Sequence, residues 1–291
     1  MDLTNKTALI SGGAEGIGLS IAKALGEQGM NVVLGDIDTA QLALAEQALS
    51  ELNIPCVTVP MDVTKPEDWQ ALCNAAIDRF EKVHMIVNNA GVSGAPGPIE
   101  RTSHQDWRWV TDVNLMGVLY GMEAVVPLIK QHGEGGWVIN VASMAGMAGV
   151  PYAGAYTATK VAVVGMSESW HAELAKHNIH VSVLCPAFVQ TRIHLSHRNR
   201  QPQYTLETSV QQANKGKKNA AQELVENGIP VDLVGKRVIE ALAAGELYIF
   251  THPSHRQSIA ARFKAIDDAF ARAAESPLLQ DILDDPVLSF G

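Results

Sequence analysis

The chain has 291 residues, 47% apolar and 18% charged, with a formal charge of −9. That length and balance suit one large α/β domain over 1–291, and the acidic charge argues against a nucleic-acid partner, which calls for a basic face. Cys56, Cys73 and Cys185 form no CxxC pair and have no metal-like spacing, so no metal is expected and they read as reduced thiols of a cytoplasmic protein.

From Met1 the chain runs almost at once into an apolar strand, without the basic and apolar segments of a secretory signal. The longest apolar stretches read as too short and too broken to span a bilayer, so no membrane partner is expected. Short β-branched runs predict strands at Thr7–Ser11, Asn31–Gly35, Cys56–Pro60, Met85–Asn88, Trp137–Val141, Val181–Cys185 and Leu247–Phe250. Helical periodicity predicts helices at 17–28, 39–52, 67–82, 106–131 and 153–176. The second is the clearest, with Leu42, Ala45, Leu49 and Leu52 on one face and Asp38 or Thr39 to cap it. Strands alternating with helices predict a single-domain, doubly wound parallel sheet of about seven strands, with helices on both faces. After Thr191 the alternation stops. Residues 193–230 are polar and read as a substrate-binding lid. Helical pattern returns at Val231–Ala244 and 255–275, and 276–291 reads as a tail.

The first strand leads into Ser11-Gly12-Gly13-Ala14-Glu15-Gly16-Ile17-Gly18 and then a helix. Glycines let backbone turn tightly and approach a pyrophosphate, and the helix N-terminus offers it free N–H groups and a positive dipole end. Many strand-to-helix turns are glycine-rich for structural reasons alone, so position decides; here the turn sits between the first strand and an amphipathic helix. The second strand ends at Gly35-Asp36, and a carboxylate there accepts from both adenosine ribose hydroxyls and repels a 2′-phosphate. Neither Ile37 nor Glu15 offers the basic group that a 2′-phosphate needs, so NAD (NADH) is favoured over NADP.

Tyr156 and Lys160 are four residues apart near the start of a helix, on one face. A phenol with a pKa of about 10 is a poor base at neutral pH. Opposite unit charges about 4 Å apart at an effective dielectric of about 20 interact by about 4 kcal/mol. An ammonium beside the phenol, helped by a cationic nicotinamide, brings it toward pH 7, where acid–base catalysis works. The pair is common on helices and means little by itself; its company decides.

Gly12, Gly16 and Gly18, Asp62-Val63, Asn88-Asn89-Ala90-Gly91, Asn114, Ser143, Tyr156 and Lys160 follow in this order. In that order and spacing, residues 5–192 resemble the short-chain dehydrogenase/reductases, with Ser11 where the family commonly has Thr. The resemblance implies that Tyr156 exchanges a proton with the substrate oxygen, that Ser143 hydrogen-bonds the same oxygen, and that Lys160 binds the nicotinamide ribose. It further implies that Asn114 holds a water of the proton relay, that Asp62 and Val63 contact adenine, and that Asn89, Ala90 and Gly91 form a cofactor-facing turn. Pro186, Val189 and Thr191 resemble the groups that hold the carboxamide, and Ala187 stands where the family usually has Gly. Ser143, Ala145, Tyr156, Ala187 and Phe188 are the expected substrate contacts.

Substrate choice falls to Val92–Ile99, Met144–Tyr152 and the lid. Arg192–Lys218 carries Arg192, Arg198, Arg200, Lys215, Lys217 and Lys218 against only Glu207, which suits either an anionic substrate or a solvated lid. His194 and His197 lack cysteine or carboxylate partners for zinc. The sequence points to an NAD-dependent oxidoreductase interconverting a small-molecule secondary alcohol and ketone, bulky or aromatic. It is similar to bacterial members that oxidise aryl carbinols. A 3-oxoacyl thioester reductase and a non-catalytic NAD-binding sensor or scaffold remain the alternatives. The resemblance implies a homodimer or homotetramer through the helices at 106–131 and 153–176.

Overall fold

A computed structural model describes residues 1–205 and 220–286. The chain divides into two compact units, Met1–Thr251 and His252–Gly291, where the sequence reading had one domain.

The first unit holds a seven-stranded parallel sheet: β1 (Thr7–Ser11), β2 (Asn31–Asp36), β3 (Cys56–Pro60), β4 (Met85–Asn88), β5 (Gly136–Val141), β6 (Ile179–Cys185) and β7 (Tyr248–Phe250). Their order is β3-β2-β1-β4-β5-β6-β7, so the direction in which strands are added across the sheet reverses between β1 and β4. Along β1, Ala8 and Ile10 face one apolar layer and Leu9 the other, as the period of two requires. The first layer is closed by α1 (Gly16–Glu27), α2 (Thr39–Glu51) and α8 (Val231–Ala244) through Ile21, Leu49 and Val238. On the other face lie α3 (Pro66–Phe80), α4 (His104–Thr111), α5 (Gly117–His132) and α6 (Gly154–Leu174), which contribute Trp69, Trp109, Ile129 and Leu174. The cap expected for α2 is present, with Asp38 accepting from the Gln41 amide at 3.1 Å. A short helix, α7 (Ala220–Glu226), precedes α8.

The single helix expected at 106–131 is α4, a π-helical turn at Asp112–Met116 and α5. The whole stretch His104–His132 is long and apolar enough to cross a membrane by length and composition, which corrects the reading that no such stretch exists. Half of its most apolar window is buried in the protein, where Trp109, Val125 and Ile129 join the core.

One polar chain crosses the sheet centre. Asn88 Nδ2 donates to Asn140 Oδ1 at 2.9 Å, Asn140 Nδ2 to Ser167 Oγ at 3.0 Å, and Ser167 Oγ to the Val163 carbonyl at 2.7 Å. Asn88 Oδ1 already takes no hydrogen bond from the described residues. The isosteric Asn140→Leu strands the Asn88 amide as well, and is expected to cost about 2–3 kcal/mol in urea denaturation. A loss below about 0.5 kcal/mol contradicts this role.

At the opposite edge from the strands' carboxyl ends, His84, His132 and Glu134 cluster. His84 Nδ1 accepts from the Thr7 amide and Nε2 faces Glu134. His132 Nε2 meets the Val83 carbonyl and Nδ1 accepts from the Glu134 amide. Every ring nitrogen thus has a protein partner, and the cluster serves to tie β1, β4 and the end of α5 together.

Among the described residues, the second unit contains a short turn at Pro253–His255, α9 (Arg256–Ala274) and a short turn at Gln280–Ile282. No residue of α9 is buried, and Phe263, Ile266 and Phe270 are exposed.

Candidate active site

The direction change between β1 and β4 opens a crevice at the strands' carboxyl ends, where open α/β sheets bind ligands. Gly12 adopts a positive φ of 62°, and a Cβ there would lie 2.7 Å from Ala90 Cα. A Cβ on Gly18 would lie 2.2 Å from the Gly12 carbonyl oxygen. Both positions therefore require glycine. Asn89 Nδ2 staples the turn by donating to the carbonyls of Ser11 (3.1 Å) and Gly12 (2.7 Å). The Ser11 hydroxyl accepts from the amides of Asn89 and Ala90, so serine does this stapling in place of threonine. Glu15 is the N-cap residue of α1 and makes no side-chain cap. This leaves the N-terminus around Gly16 and Ile17 open as an anion cradle.

Asp36 ends β2 with its carboxylate accepting from Ala14 N at 3.1 Å and Asp38 N at 3.0 Å. Burial raises its pKa above the usual carboxylate value against these two hydrogen bonds. Ile37 beside it is exposed, and Asp62 and Val63 are buried after β3.

Ser143 follows β5 and Tyr156 lies in the first turn of α6, with the Ser143 side chain beside the phenol. Desolvation holds the Tyr156 pKa above 10, against the lowering effect of Ser143. The sequence reading joined Lys160 with a cationic nicotinamide to bring the phenol toward pH 7; in the chain by itself, burial outweighs the Ser143 neighbour. Lys160 is buried, with Nζ 5.7 Å from the Tyr156 ring centroid and donating to the Val141 carbonyl at 2.8 Å. Desolvation pushes its pKa down to about 8. A Cβ on Gly91 would lie 3.6 Å from Lys160 Nζ and 3.4 Å from Asn114 Oδ1, so the three meet. Both polar atoms of the Asn114 side chain are committed to Val92, accepting from its amide at 2.8 Å and donating to its carbonyl at 2.9 Å.

The short chain dehydrogenase family model matches residues 6–202. The chain belongs to this family. It is 31% identical over 281 residues to a C alpha-dehydrogenase of Sphingobium sp. (strain NBRC 103272 / SYK-6), covering 95% of this chain and 90% of that protein. It is 40% identical over 190 residues to a 3-alpha-(or 20-beta)-hydroxysteroid dehydrogenase of Mycobacterium tuberculosis, covering 65% and 71%. A short chain dehydrogenase/reductase from Burkholderia phymatum, solved in complex with NAD, superposes with a TM-score of 0.87 at 32% identity, covering 99% of this chain and all of that one. The family is one of oxidoreductases that bind a nicotinamide cofactor.

In this dehydrogenase the segment after β6 returns to the crevice. Pro186 accepts from the Ser143 hydroxyl and the Met144 amide. Val189 bridges to Ile229, and Thr191 Cγ2 lies 3.3 Å from where a Gly16 Cβ would be. Phe188 is exposed, while Ala145 is buried and presents little surface to a substrate. Arg192 and Arg198 both pair with Glu15, and Arg200 pairs with buried Asp106. Two guanidiniums thus stand beside the glycine turn, where the sequence suggested no basic group, and three of the lid's cations pair with two carboxylates, Glu15 and Asp106. Lys215, Lys217, Lys218 and Glu207 lie outside the described residues. Ser196 Oγ accepts from the Ser93 amide at 3.1 Å, tying this segment to the loop after β4.

Gln201 and Trp107 were not singled out from the sequence. Gln201 donates to Asp62, a contact between loops that no local pattern signals. Trp107 lines a cavity of about 360 Å³ with Pro98, Ile99, Val150 and Tyr152. That cavity joins the two expected substrate loops, and Gly154, two residues before Tyr156, lines it too.

Proposed function

We propose that this enzyme interconverts a bulky or aromatic secondary alcohol and its ketone with NAD(H), using Tyr156 as general acid and base. The carrying observation is the half-buried Ser143–Tyr156 hydroxyl pair with the buried Lys160 beside it. A bound nicotinamide supplies the hydride acceptor or donor. Tyr156 Oη takes the proton of the substrate hydroxyl in oxidation and returns it in reduction, while Ser143 donates to the same oxygen and steadies its charge. Lys160 keeps a positive charge near the phenol and the nicotinamide ribose. The Asn114 side chain holds Val92, so its part in a proton relay falls to the backbone of the π turn. Asp62 and Val63 meet the adenine, and Val189 and Thr191 the carboxamide.

The glycine turn fits a dinucleotide pyrophosphate, because Gly12 and Gly18 let the backbone close tightly and the uncapped start of α1 offers its amides to an anion. Asp36, fixed by two amides, favours a ribose with free hydroxyls; Glu15 adds nothing to this, since Arg192 and Arg198 pair with it. The apolar cavity between the substrate loops supports a bulky substrate. A panel of secondary alcohols assayed with NAD and NADP tests the reading; no turnover across aryl and cyclic alcohols overturns it. NADH is expected to bind at least about 100-fold more tightly than NADPH, and Asp36→Ala to narrow the gap to about tenfold or less. Tighter NADPH binding by the wild type refutes the cofactor assignment.

A further inference from the structure

Gln201 is buried, and both ends of its carboxamide are engaged. Trp109 Nε1 donates to its Oε1 at 2.9 Å, and its Nε2 donates to Asp62 Oδ1 at 2.9 Å. An indole nitrogen only donates, so the amide atom facing Trp109 is the oxygen and the amine must face Asp62. Asp62 Oδ1 also accepts from the Thr64 amide at 3.0 Å and the Thr64 hydroxyl at 2.8 Å. Three donors on one oxygen fix the plane of the carboxylate. Its Oδ2 takes no hydrogen bond from the described residues.

The support behind Gln201 is itself fixed. The Arg200 guanidinium pairs with Asp106 and lies 4.8 Å from the Trp109 ring centroid. Arg200 Nε donates to the Tyr204 carbonyl at 2.9 Å, and the Tyr204 hydroxyl donates to Asp112 at 2.8 Å. The segment around Gln201 is thereby anchored to α4 and the π turn on both sides of the amide.

We infer that Gln201 is a positioning residue of the cofactor's adenine end: Trp109 orients its amide, which holds Asp62 so that Oδ2 accepts the exocyclic amine of adenine. This rests on the reading of Asp62 as the adenine contact. A carboxylate already held in place loses less freedom on binding than one that must be ordered by the ligand. A base with a carbonyl in place of the amine sets an acceptor against a carboxylate, which gives the site its discrimination.

The test compares dissociation constants of NADH and its hypoxanthine analogue by nicotinamide fluorescence, with melting temperatures as a check on folding. The wild type is expected to favour NADH by about tenfold or more. Gln201→Met, close in size but without hydrogen bonds, is expected to reduce that preference to about twofold to threefold, chiefly by weakening NADH. Trp109→Phe leaves Gln201 in place but unoriented, and its preference is expected to fall between the two. Asp62→Ala is expected to abolish it. Wild-type preference retained in both Gln201→Met and Trp109→Phe, with Asp62→Ala collapsed, overturns the role of Gln201 and leaves that of Asp62. No preference in the wild type overturns both. A preference that rises in Gln201→Met also overturns the inference, because it shows the amide competing with adenine for Asp62.

Discussion

Tyr156→Phe removes one oxygen and is expected to lower kcat by about 10³-fold or more, with the NADH dissociation constant within about threefold of wild type. The ring keeps its place on α6, so the change is confined to the proton donor and acceptor and to the Ser143 contact. Because burial holds the phenol protonated above its ordinary value, the ligand-free site is set as an acid, ready to protonate a carbonyl oxygen. Oxidation needs the phenolate, and its formation depends on the positive charge a bound oxidised nicotinamide adds to that of Lys160. Stopped-flow measurement of NADH formation and consumption checks this in both directions. Activity within about tenfold of wild type rules out Tyr156 as the proton carrier.

Lys160→Met is expected to move activity and stability in opposite directions. Turnover falls by about 10²-fold or more, since both the charge near the phenol and the ribose contact go. Stability at pH 7 rises. The Lys160 pKa is lowered by burial from 10.5 to about 8. Between these values the unfolded chain binds more protons than the folded one, so the wild type gains stability as pH rises from about 8 to about 10.5. Below pH 8 it carries the whole cost of burying the ammonium, about 3 kcal/mol. Removing the amine also leaves the Val141 carbonyl without its donor, a loss of about 1–2 kcal/mol. The variant should therefore melt above the wild type at pH 7, and its advantage should shrink toward pH 10. Paired thermal melts at the two pH values decide it; an advantage that grows with pH contradicts the sign.

Much of the sheet was legible because buried parallel strands are short apolar runs with sharp ends. β1, β3 and β4 lie where the sequence placed them, and the doubly wound architecture follows from their alternation with helices. Gly12, Asn89, Ser143, Tyr156 and Lys160 were picked out by the order of motifs that resembles the family, not by any one of them alone. The structure brings Ser143, Tyr156 and Lys160 together, and joins Gly12 to Asn89. The π turn was not legible, since one added residue barely disturbs an apolar pattern of period 3.6. Nor were the pairing of Arg192 and Arg198 with Glu15, or of Gln201 with Asp62. Those contacts depend on where a long loop comes to rest, and nothing local encodes it. The elevated Tyr156 pKa is likewise a property of enclosure, which a Tyr-x-x-x-Lys spacing does not measure.

The π turn at Asp112–Met116 works as a phase shift between two packed helices. Each residue advances an α-helix by about 100°, so the extra residue turns the faces of α4 and α5 relative to one another. With it, Trp109 on α4 and Val125 on α5 both reach the core while Asn114 points at Val92. Deleting one residue within 112–116 would straighten the rod and rotate α5 against α4 by about that angle. One of the two helices would then present polar residues to the sheet. Length at this point is thus constrained as tightly as residue identity, and insertions or deletions there should be tolerated far less than in an exposed loop.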